Sequence, residues 1–302
     1  MPSHGLLMIH SQKPAQKTQP LFVSDLDGTL LNAEAKLSAF TRSTLQRLLA
    51  QGLLFTIATS RSRASVQHIF QGVDLSLPII EVNGAYVSDL TTGHHHAIST
   101  IALDQLPELL RITRAHQCNP LVSTSESDGD HLSCDEISND GMAWYAESCK
   151  RERDKRWRMV PELKPVLTEP VVRFTLIQTE PHIRAAAAEI QQELGLYTHL
   201  FENPYHPGWF WLTVQSQQST KAQAIQRLRS LPQFQEQLNG CELVVFGDEH
   251  NDLEMFQDAD RAIAPANAVR SIQQLAHEII GPHTEDSVAQ YLIENWEKDQ
   301  NI

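Results

Sequence analysis

The two ends of the 302-residue chain share one pattern, in which short apolar runs alternate with amphipathic helical patterns. The strand-like runs are LFVSD (21–25), LLFTIAT (53–59), PIIEV (78–82), CELVVFG (241–247) and RAIAPA (261–266). Nearly continuous apolar strands separated by helices indicate a parallel sheet that is covered on both faces. Both ends are therefore expected to form one α/β domain with a doubly wound parallel sheet.

The middle of the chain follows a different pattern. It holds a hairpin-like stretch, a helix near 104–116, the strand VVRFTLIQ, the alanine-rich helix HIRAAAAEIQQEL and the strand GWFWLTVQ. This is an α+β pattern inserted into an α/β domain, which suggests a cap over a site. The predicted fold class is α/β, a doubly wound (Rossmann-like) parallel-sheet core with an inserted α+β cap domain. The predicted division is a flexible lead-in (1–19), core (20–85), cap (86–215) and core (216–302).

Charge and composition disfavour nucleic-acid binding, a membrane span and a disulfide framework. The chain has 24 Lys and Arg against 37 Asp and Glu, a net charge of −13, which disfavours nucleic acid as a partner. No apolar run approaches the roughly 18 residues of a membrane span, and the amino end resembles no signal peptide, so a cytoplasmic protein is expected. The cysteines lack a CxxC pair and are predicted to be reduced and structural: Cys118, Cys134, Cys149 and Cys241. The oligomeric state stays open.

Two aspartates end the first predicted strand, in FVSDLDGTLL (22–31). Side chains alternate along a strand, so Asp25 and Asp27 point the same way, at the carboxyl end where open α/β sheets bind ligands. Taken alone, DLDG fits a polar turn equally well, because Asp-Gly is a common turn signal.

A second acidic cluster, GDEHND (247–252), also follows a predicted strand. One helical turn would gather Asp248, Asn251 and Asp252 on one side. Oxygen ligands with no His or Cys beside them suit a hard ion such as Mg²⁺. One of the two aspartates could instead only cap the helix.

Two further strand or helix ends carry groups suited to phosphate. Thr59 offers a hydroxyl, although a Ser or Thr there could equally be a helix N-cap. Lys221 opens a helix, where a cation is unfavourable, and this mildly favours a functional lysine. Two carboxylates 4 Å apart repel by about 4 kcal/mol at an effective dielectric near 20, so Asp25 and Asp27 need cations, which Mg²⁺ and Lys221 would supply.

Together, DLDGT (25–29), Thr59, Lys221 and GDEHND resemble the four ordered motifs of the haloacid dehalogenase (HAD) superfamily, over roughly residues 20–292. The resemblance is closest to the Cof-type subfamily with a large α+β cap. It rests on EVNGAYV (81–87), FWLTVQSQQSTKAQA (210–224), AIAPANA (262–268) and TEDSVAQYL (284–292).

The resemblance implies specific roles. Asp25 matches the nucleophile, which is phosphorylated and also binds Mg²⁺. Asp27 matches the general acid and base, with its main-chain carbonyl on the metal. Thr59 and Lys221 match the residues that bind the phosphoryl group. Asp248 matches a metal ligand, and Asp252 would support the metal shell. Asn83 and Asn251 would lie near the phosphate.

The implied function is a Mg²⁺-dependent phosphatase of a small phosphorylated metabolite, with sugar phosphates as the first guess. A sugar-phosphate phosphomutase and a non-catalytic phosphometabolite-binding protein are the alternatives. The family usually has Thr-Gly-Arg where this chain has Thr59-Ser60-Arg61, which leaves open whether Thr59 or Ser60 faces the phosphate, and Thr59 is preferred. Glu249 and Ser287 stand where the family often has glycine.

Three features have simpler explanations than function. His94–His96 are consecutive and cannot all face one ion, so a metal site there is disfavoured. The basic run KRERDKRWR (150–158) contains Glu152 and Asp154 and is read as a solvated, salt-bridged face rather than a site for an anion. Trp209 and Trp211 share a strand face and are expected to pack in a core.

Overall fold

A computed structural model describes residues 19–126, 129–151, 153–203 and 206–300, with side chains through 296. The predicted lead-in (1–19) and Glu152 lie outside these ranges, except for Gln19. No helix in the described part is long and apolar enough to cross a membrane.

The first part of the core begins with a strand in the middle of the parallel sheet. In chain order its elements are β1 (Leu21–Ser24), α1 (Ala39–Ala50), β2 (Leu54–Ile57), α2 (Arg63–Ile69) and β3 (Ile79–Glu81). Helix α1 starts where predicted because the Ser38 side chain caps it, accepting a hydrogen bond from the Thr41 amide at 2.9 Å. The predicted hairpin follows as β4 (Tyr86–Ser88) and β5 (His95–Ile98).

The cap is built on a second sheet. Its elements are α3 (Leu106–Ala115), β6 (Pro120–Glu126), β7 (Gly129–Cys134), α4 (Asp140–Arg151), β8 (Trp157–Met159), β9 (Val171–Gln178), α5 (Glu180–Leu194), β10 (Tyr197–Glu202) and β11 (Phe210–Gln215). The strand order is β10-β11-β9-β6-β7-β8, antiparallel except for the parallel pair β7 and β8. The cap sheet is therefore mixed and separate from that of the core.

The chain then returns to the core and completes its sheet. The elements are α6 (Lys221–Ser230), α7 (Pro232–Leu238), β12 (Leu243–Phe246), α8 (Leu253–Asp258), β13 (Arg261–Pro265), α9 (Arg270–Leu275), β14 (Glu278–Ile280) and α10 (Ser287–Gln300). All pairs in the order β14-β13-β12-β1-β2 are parallel. This arrangement confirms the predicted fold class.

Alternate residues of the central strands enter two hydrophobic clusters on opposite faces of this sheet. Leu21 and Val23 belong to one cluster, while Phe22 belongs to the other, together with Phe246. This alternation follows from the two-residue period of a strand and explains why the strand sequences are apolar throughout. Because β1, β2 and β12 run parallel, their carboxyl ends meet at one edge of the sheet. The predicted site residues come directly after these strand ends.

Several short strands differ from the prediction. PIIEV was expected to extend the parallel sheet. Its strand β3 does lie parallel to the end of β2 through the bridge between Ala58 and Ile80, but its ladder partner is β4, with which it pairs antiparallel. Strand β14 was missed because it is a short edge strand with exposed residues, including Ile279 at 53% exposure. The cap elements β6, β7, α4, β8 and β10 were also not predicted, since their burial depends on packing across the cap.

The predicted core role of the tryptophans holds, since Trp209 and Trp211 pack against a cap cluster that includes Met142. None of the four cysteines forms a disulfide, and all four are buried. Burial raises the pKa of the Cys118 thiol to about 12, which keeps it protonated and unreactive.

We expect Phe22→Ala to lower the free energy of unfolding by about 3–5 kcal/mol, because it removes a fully buried ring from the central strand and leaves a cavity. Urea denaturation monitored by circular dichroism would measure the change. The matched control is Phe40→Ala, since Phe40 is 44% exposed, and its effect should stay within about 0.5 kcal/mol. Equal losses in the two variants would contradict this assignment of the core.

Candidate active site

The end of strand β1 is held beside the end of β12. The Asp25 amide donates a hydrogen bond to the Phe246 carbonyl at 2.9 Å. On the other side of β1, the Ala58 amide donates to the Ser24 carbonyl at 2.9 Å. Parallel strands end at the same edge, so Asp25 comes between the residues that follow β2 and those that follow β12.

Lys221 lies between two carboxylates that come from different parts of the chain. Its Nζ donates to Asp25 Oδ1 at 2.7 Å and to Asp252 Oδ1 at 2.6 Å. The lysine is 1% exposed, and it begins helix α6 directly after the Thr220 cap. A buried ammonium is tolerated only when it is paired, and here two charge-assisted hydrogen bonds satisfy it.

The environment shifts the pKa values of this group in the directions expected for a buried ionic cluster. Burial raises the pKa of Asp25 well above its usual value, and the attraction of Lys221 opposes this only in part. Burial would lower the pKa of Lys221, but Asp25 and Asp252 outweigh it, so the pKa of the lysine is raised. Lys221 is therefore a fixed positive charge at the end of β1.

Asp248 reaches the same edge from β12. Its Oδ1 accepts a hydrogen bond from the Thr29 hydroxyl at 2.8 Å, and burial raises the pKa of Asp248 to about 6. Gly28 makes this approach possible, because a Cβ built on it would lie 2.1 Å from Asp248 Oδ2 and its φ is +74°. DLDGT thus needs its glycine for contact with the second acidic cluster as well as for the turn.

Asp252 serves as a helix cap and as a partner of Lys221. Its Oδ2 accepts hydrogen bonds from the Asp248 amide at 2.9 Å and from the Glu249 amide at 3.0 Å. Its other oxygen accepts from Lys221, and the side chain is fully buried. The sequence left open whether one aspartate of GDEHND only caps. In the structure Glu249 is the N-cap of the short helix at 250–252, and Asp252 completes its capping box while also binding Lys221.

Three carboxylates have the chemistry of a site for a hard metal ion. Asp25, Asp248 and Asp252 each offer one oxygen, and these atoms lie within 4.8 Å of one another. With Lys221 as the neighbouring cation, a cluster of three ionised carboxylates would carry an excess of negative charge, which a divalent cation would neutralise. These residues could therefore hold a metal ion.

Asn83 and Asn251 meet across the site. Asn251 Nδ2 donates to Asn83 Oδ1 at 3.1 Å. Asn83 is 1% exposed and adopts the left-handed conformation with φ of +53°, which asparagine tolerates better than most residues. Its Nδ2 has no hydrogen-bond partner among the described residues. A buried donor without a partner costs free energy unless a ligand accepts from it.

The two hydroxyls after β2 differ in position. Thr59 is fully buried and its Oγ1 accepts a hydrogen bond from the Arg61 amide at 3.1 Å, whereas Ser60 is exposed. This acceptor role leaves the Thr59 hydroxyl proton available for donation. The preference for Thr59 over Ser60 stays a prediction.

Asp27 does not enter the carboxylate cluster. It forms a two-point ion pair with Arg61, from Nε to Oδ2 at 2.7 Å and from Nη2 to Oδ1 at 2.6 Å. The Asp27 side chain is 48% exposed, so it lies at the open side of the site. Sequence reasoning missed this pair and the Thr29 hydroxyl, although Arg61 and Thr29 both stand inside the motifs that pointed to the site.

Other candidate clusters have partners of their own. His95 bonds to Ser88 Oγ through Nδ1 at 2.7 Å and to Asp130 through Nε2 at 3.0 Å, so it links the hairpin to the cap. A second group with metal-ligand atoms, Glu126, His131 and Glu169, lies in the cap. Arg158 bridges its two glutamates at 3.1 and 2.7 Å and supplies their counter-charge.

Comparison with known proteins identifies the family. Residues 22–292 match the family of haloacid dehalogenase-like hydrolases. The chain belongs to this family. This confirms the predicted family and the predicted enzyme class of a phosphoric monoester hydrolase.

Two characterised relatives resemble the hydrolase over most of its length. The 5-amino-6-(5-phospho-D-ribitylamino)uracil phosphatase YitU of Bacillus subtilis is 26% identical over 92% of this chain and 98% of its own. The pyridoxal phosphate phosphatase YbhA of Escherichia coli is 23% identical over 91% of this chain and 98% of its own.

Solved structures show the same fold. A haloacid dehalogenase-like hydrolase from Bacteroides thetaiotaomicron superposes with a TM-score of 0.70 at 20% identity, covering 92% of this chain and 99% of that one. A Thermotoga maritima protein has a TM-score of 0.70 at 23% identity, with 92% and 97% covered. At this level of identity the likeness concerns the fold alone.

Replacing Lys221 by Gln should destabilise the hydrolase strongly. The variant leaves Asp25 and Asp252 buried without their counter-charge, which costs about 3–5 kcal/mol in the free energy of unfolding. Urea denaturation in the presence of a chelator would measure this loss. Lys164→Gln is the control, since Lys164 is exposed, and it should be nearly neutral. A Lys221→Gln variant as stable as the control would refute the role of the lysine in the cluster.

Proposed function

We propose that the hydrolase is a Mg²⁺-dependent phosphatase, which cleaves a small phosphorylated metabolite through an aspartyl-phosphate on Asp25. The observation that carries the proposal is the buried Lys221 bonded to Asp25 at the edge where Asp248 and Asp252 converge. A phosphate monoester is a dianion, and transfer of its phosphoryl group depends mainly on positioning and charge neutralisation.

Asp25 has the properties of a nucleophile in this setting. Lys221 binds its Oδ1 at 2.7 Å and fixes the orientation of the carboxylate. Attack by the other oxygen on phosphorus would form an acyl phosphate and release the alcohol, and water would then cleave the acyl phosphate. The ammonium of Lys221 also reduces the repulsion between Asp25 and the phosphoryl oxygens.

Asp27 is proposed as the general acid and base, from its place two residues after Asp25. Its role would be to give a proton to the leaving oxygen and later to take one from water. Arg61 orients the Asp27 carboxylate through two parallel hydrogen bonds and itself bonds to Ser65 Oγ at 3.0 Å. Arg61 is therefore a positioning residue for Asp27.

Three donors are suited to the phosphoryl oxygens. Asn83 Nδ2 is buried without a partner, Thr59 can donate its hydroxyl proton, and Lys221 provides the charge. Asn251 holds the Asn83 amide in place through Oδ1. An anion that accepts from Asn83 would remove the cost of its unpaired buried donor.

The carboxylates of Asp25, Asp248 and Asp252 are proposed to hold Mg²⁺, with the Asp27 main-chain carbonyl as a further oxygen. When bound, the ion supplies charge stabilisation for the transferring phosphoryl group. The two characterised relatives carry names of phosphatases that act on small phosphorylated compounds, which supports the same substrate class here. A cytoplasmic location stays a prediction.

Mg²⁺ should raise the Tm of the wild-type hydrolase, because a ligand that binds only the folded state stabilises it by about 2.7 kcal/mol at roughly 100 times its Kd. Asp248→Asn should reduce this shift by most of its size, since it removes a charged oxygen ligand. Differential scanning fluorimetry with and without a chelator is the measurement. Asp258→Asn, at an exposed site on the same segment, should retain the full shift. A shift unchanged in Asp248→Asn would rule out this metal site.

Asp25→Asn should abolish phosphate release, by at least about a thousandfold in kcat, because the amide cannot form the acyl phosphate. The assay is inorganic phosphate release over a panel of sugar phosphates, nucleotides, phosphoglycerates and cofactor phosphates with Mg²⁺. Circular dichroism would show that the variant is folded.

A near-normal rate in Asp25→Asn would overturn the assignment of the nucleophile. Isomerised sugar phosphate without inorganic phosphate would instead identify a mutase. Binding without turnover over the whole panel would identify a non-catalytic binding protein.

A further inference from the structure

A large cleft lies beside the Asp27 and Arg61 pair, between helix α2 of the core and residues 151–156 of the cap. Its volume is about 1140 Å³, which is ample for a metabolite. Ser62 and Ser65 line it, and Arg61 Nη1 donates to Ser65 Oγ at 3.0 Å. Ser65 in the wall of the cleft is thus linked through Arg61 to the proposed general acid and base, Asp27.

The lining of this cleft is basic, in contrast to the chain as a whole. Among the described residues, seven basic side chains and four acidic ones line it, while the protein carries a net charge of −13. Clefts that gather one sign of charge attract ligands of the opposite sign. The basic run 150–158 contributes four of these cations, so the structure places it at a cleft, where sequence reasoning expected only a solvated face.

Some of the basic side chains that line the cleft already have partners within the protein. Arg156 forms a two-point ion pair with Asp154, at 2.6 and 3.0 Å. Arg42 donates to the carbonyls of Ile69 and Gln71 at the end of α2. These cations hold the walls of the cleft together and are poorly placed to bind a ligand as well.

Three other cations of the cleft have no such partner. The side chains of Lys36, Arg153 and Lys155 are exposed and form no hydrogen bond or ion pair with the described residues. Lys36 belongs to the core, whereas Arg153 and Lys155 belong to the cap, so both domains contribute cations to the lining of the cleft. Arg153 also adopts a φ of +54°, in the left-handed region that residues other than Gly, Asn and Asp seldom adopt.

We propose that the substrate is a phosphomonoester whose leaving group carries a second phosphate, which Lys36, Arg153 and Lys155 bind while the first phosphate lies at Asp25. This inference rests on the proposed phosphatase function and specifies its substrate class. A second phosphate accepts charge-assisted hydrogen bonds from Lys and Arg, and the arginine can bind it at two points. A neutral leaving group would leave these three cations without a counter-charge.

Matched pairs of substrates test the proposal: fructose 6-phosphate against fructose 1,6-bisphosphate, and 3-phosphoglycerate against 2,3-bisphosphoglycerate. The wild-type hydrolase should have the higher kcat/KM for the bisphosphate of at least one pair. In the double variant Arg153→Gln, Lys155→Gln, the ratio of kcat/KM for bisphosphate to monophosphate should fall about tenfold or more, mainly through KM.

Lys150→Gln is the matched control, because Lys150 lies in the same basic run, pairs with Glu147 at 2.6 Å and does not line the cleft. It should leave both rates unchanged. An equal loss for both members of a pair, or an unchanged ratio, would overturn the proposal. The proposed function is tested by the full substrate panel, and if no phosphate is released from either pair, calorimetry decides this inference separately. Tighter binding of the bisphosphate to the wild type, lost in the double variant, would support the cleft, and equal binding would refute it.

Discussion

The arrangement of the active site depends on one buried ion cluster, in which Lys221 lies between Asp25 and Asp252. The ammonium makes it possible to bury carboxylates at the end of the central strand, since an unpaired carboxylate there would be protonated or would destabilise the fold. It also joins the two halves of the core across the inserted cap. The interaction that stabilises the fold thus also orients Asp25, the proposed nucleophile.

Around this cluster the remaining residues have separate tasks. Asp248, which accepts a hydrogen bond from Thr29, adds a further carboxylate to the site. Asn83 has a buried amide donor without a partner among the described residues. Asp27 lies outside the cluster and is oriented by its ion pair with Arg61. The parallel sheet brings these side chains together because its strands end at the same edge. Residues 151–156 of the cap, at the end of α4 and in the loop before β8, supply the opposite wall of the cleft, where the proposed contacts to the leaving group lie.

Sequence reasoning predicted the buried strands of the parallel sheet and the helices between them well, because apolar periodicity is a local property. Strand β1 and helix α1 are examples, and the structure adds that Ser38 caps the helix. The sequence did not predict β14 and β8, which are three residues long and partly exposed. Strand β3 was predicted at the right residues, but its antiparallel pairing with β4 of the hairpin was not. In such elements the neighbouring strand decides the structure, and local sequence carries little of that information.

The sequence by itself determined the α/β alternation, the inserted cap and the identity of the residues in the four motifs, since these follow from periodicity and from residue type. Only the tertiary structure decided which charges meet. Asp25 and Lys221 are 196 residues apart, and Asp27 turns to Arg61 instead of joining the acidic cluster. The reason is physical: ion pairing depends on distances of a few ångströms, and those are set by how strands end and helices pack.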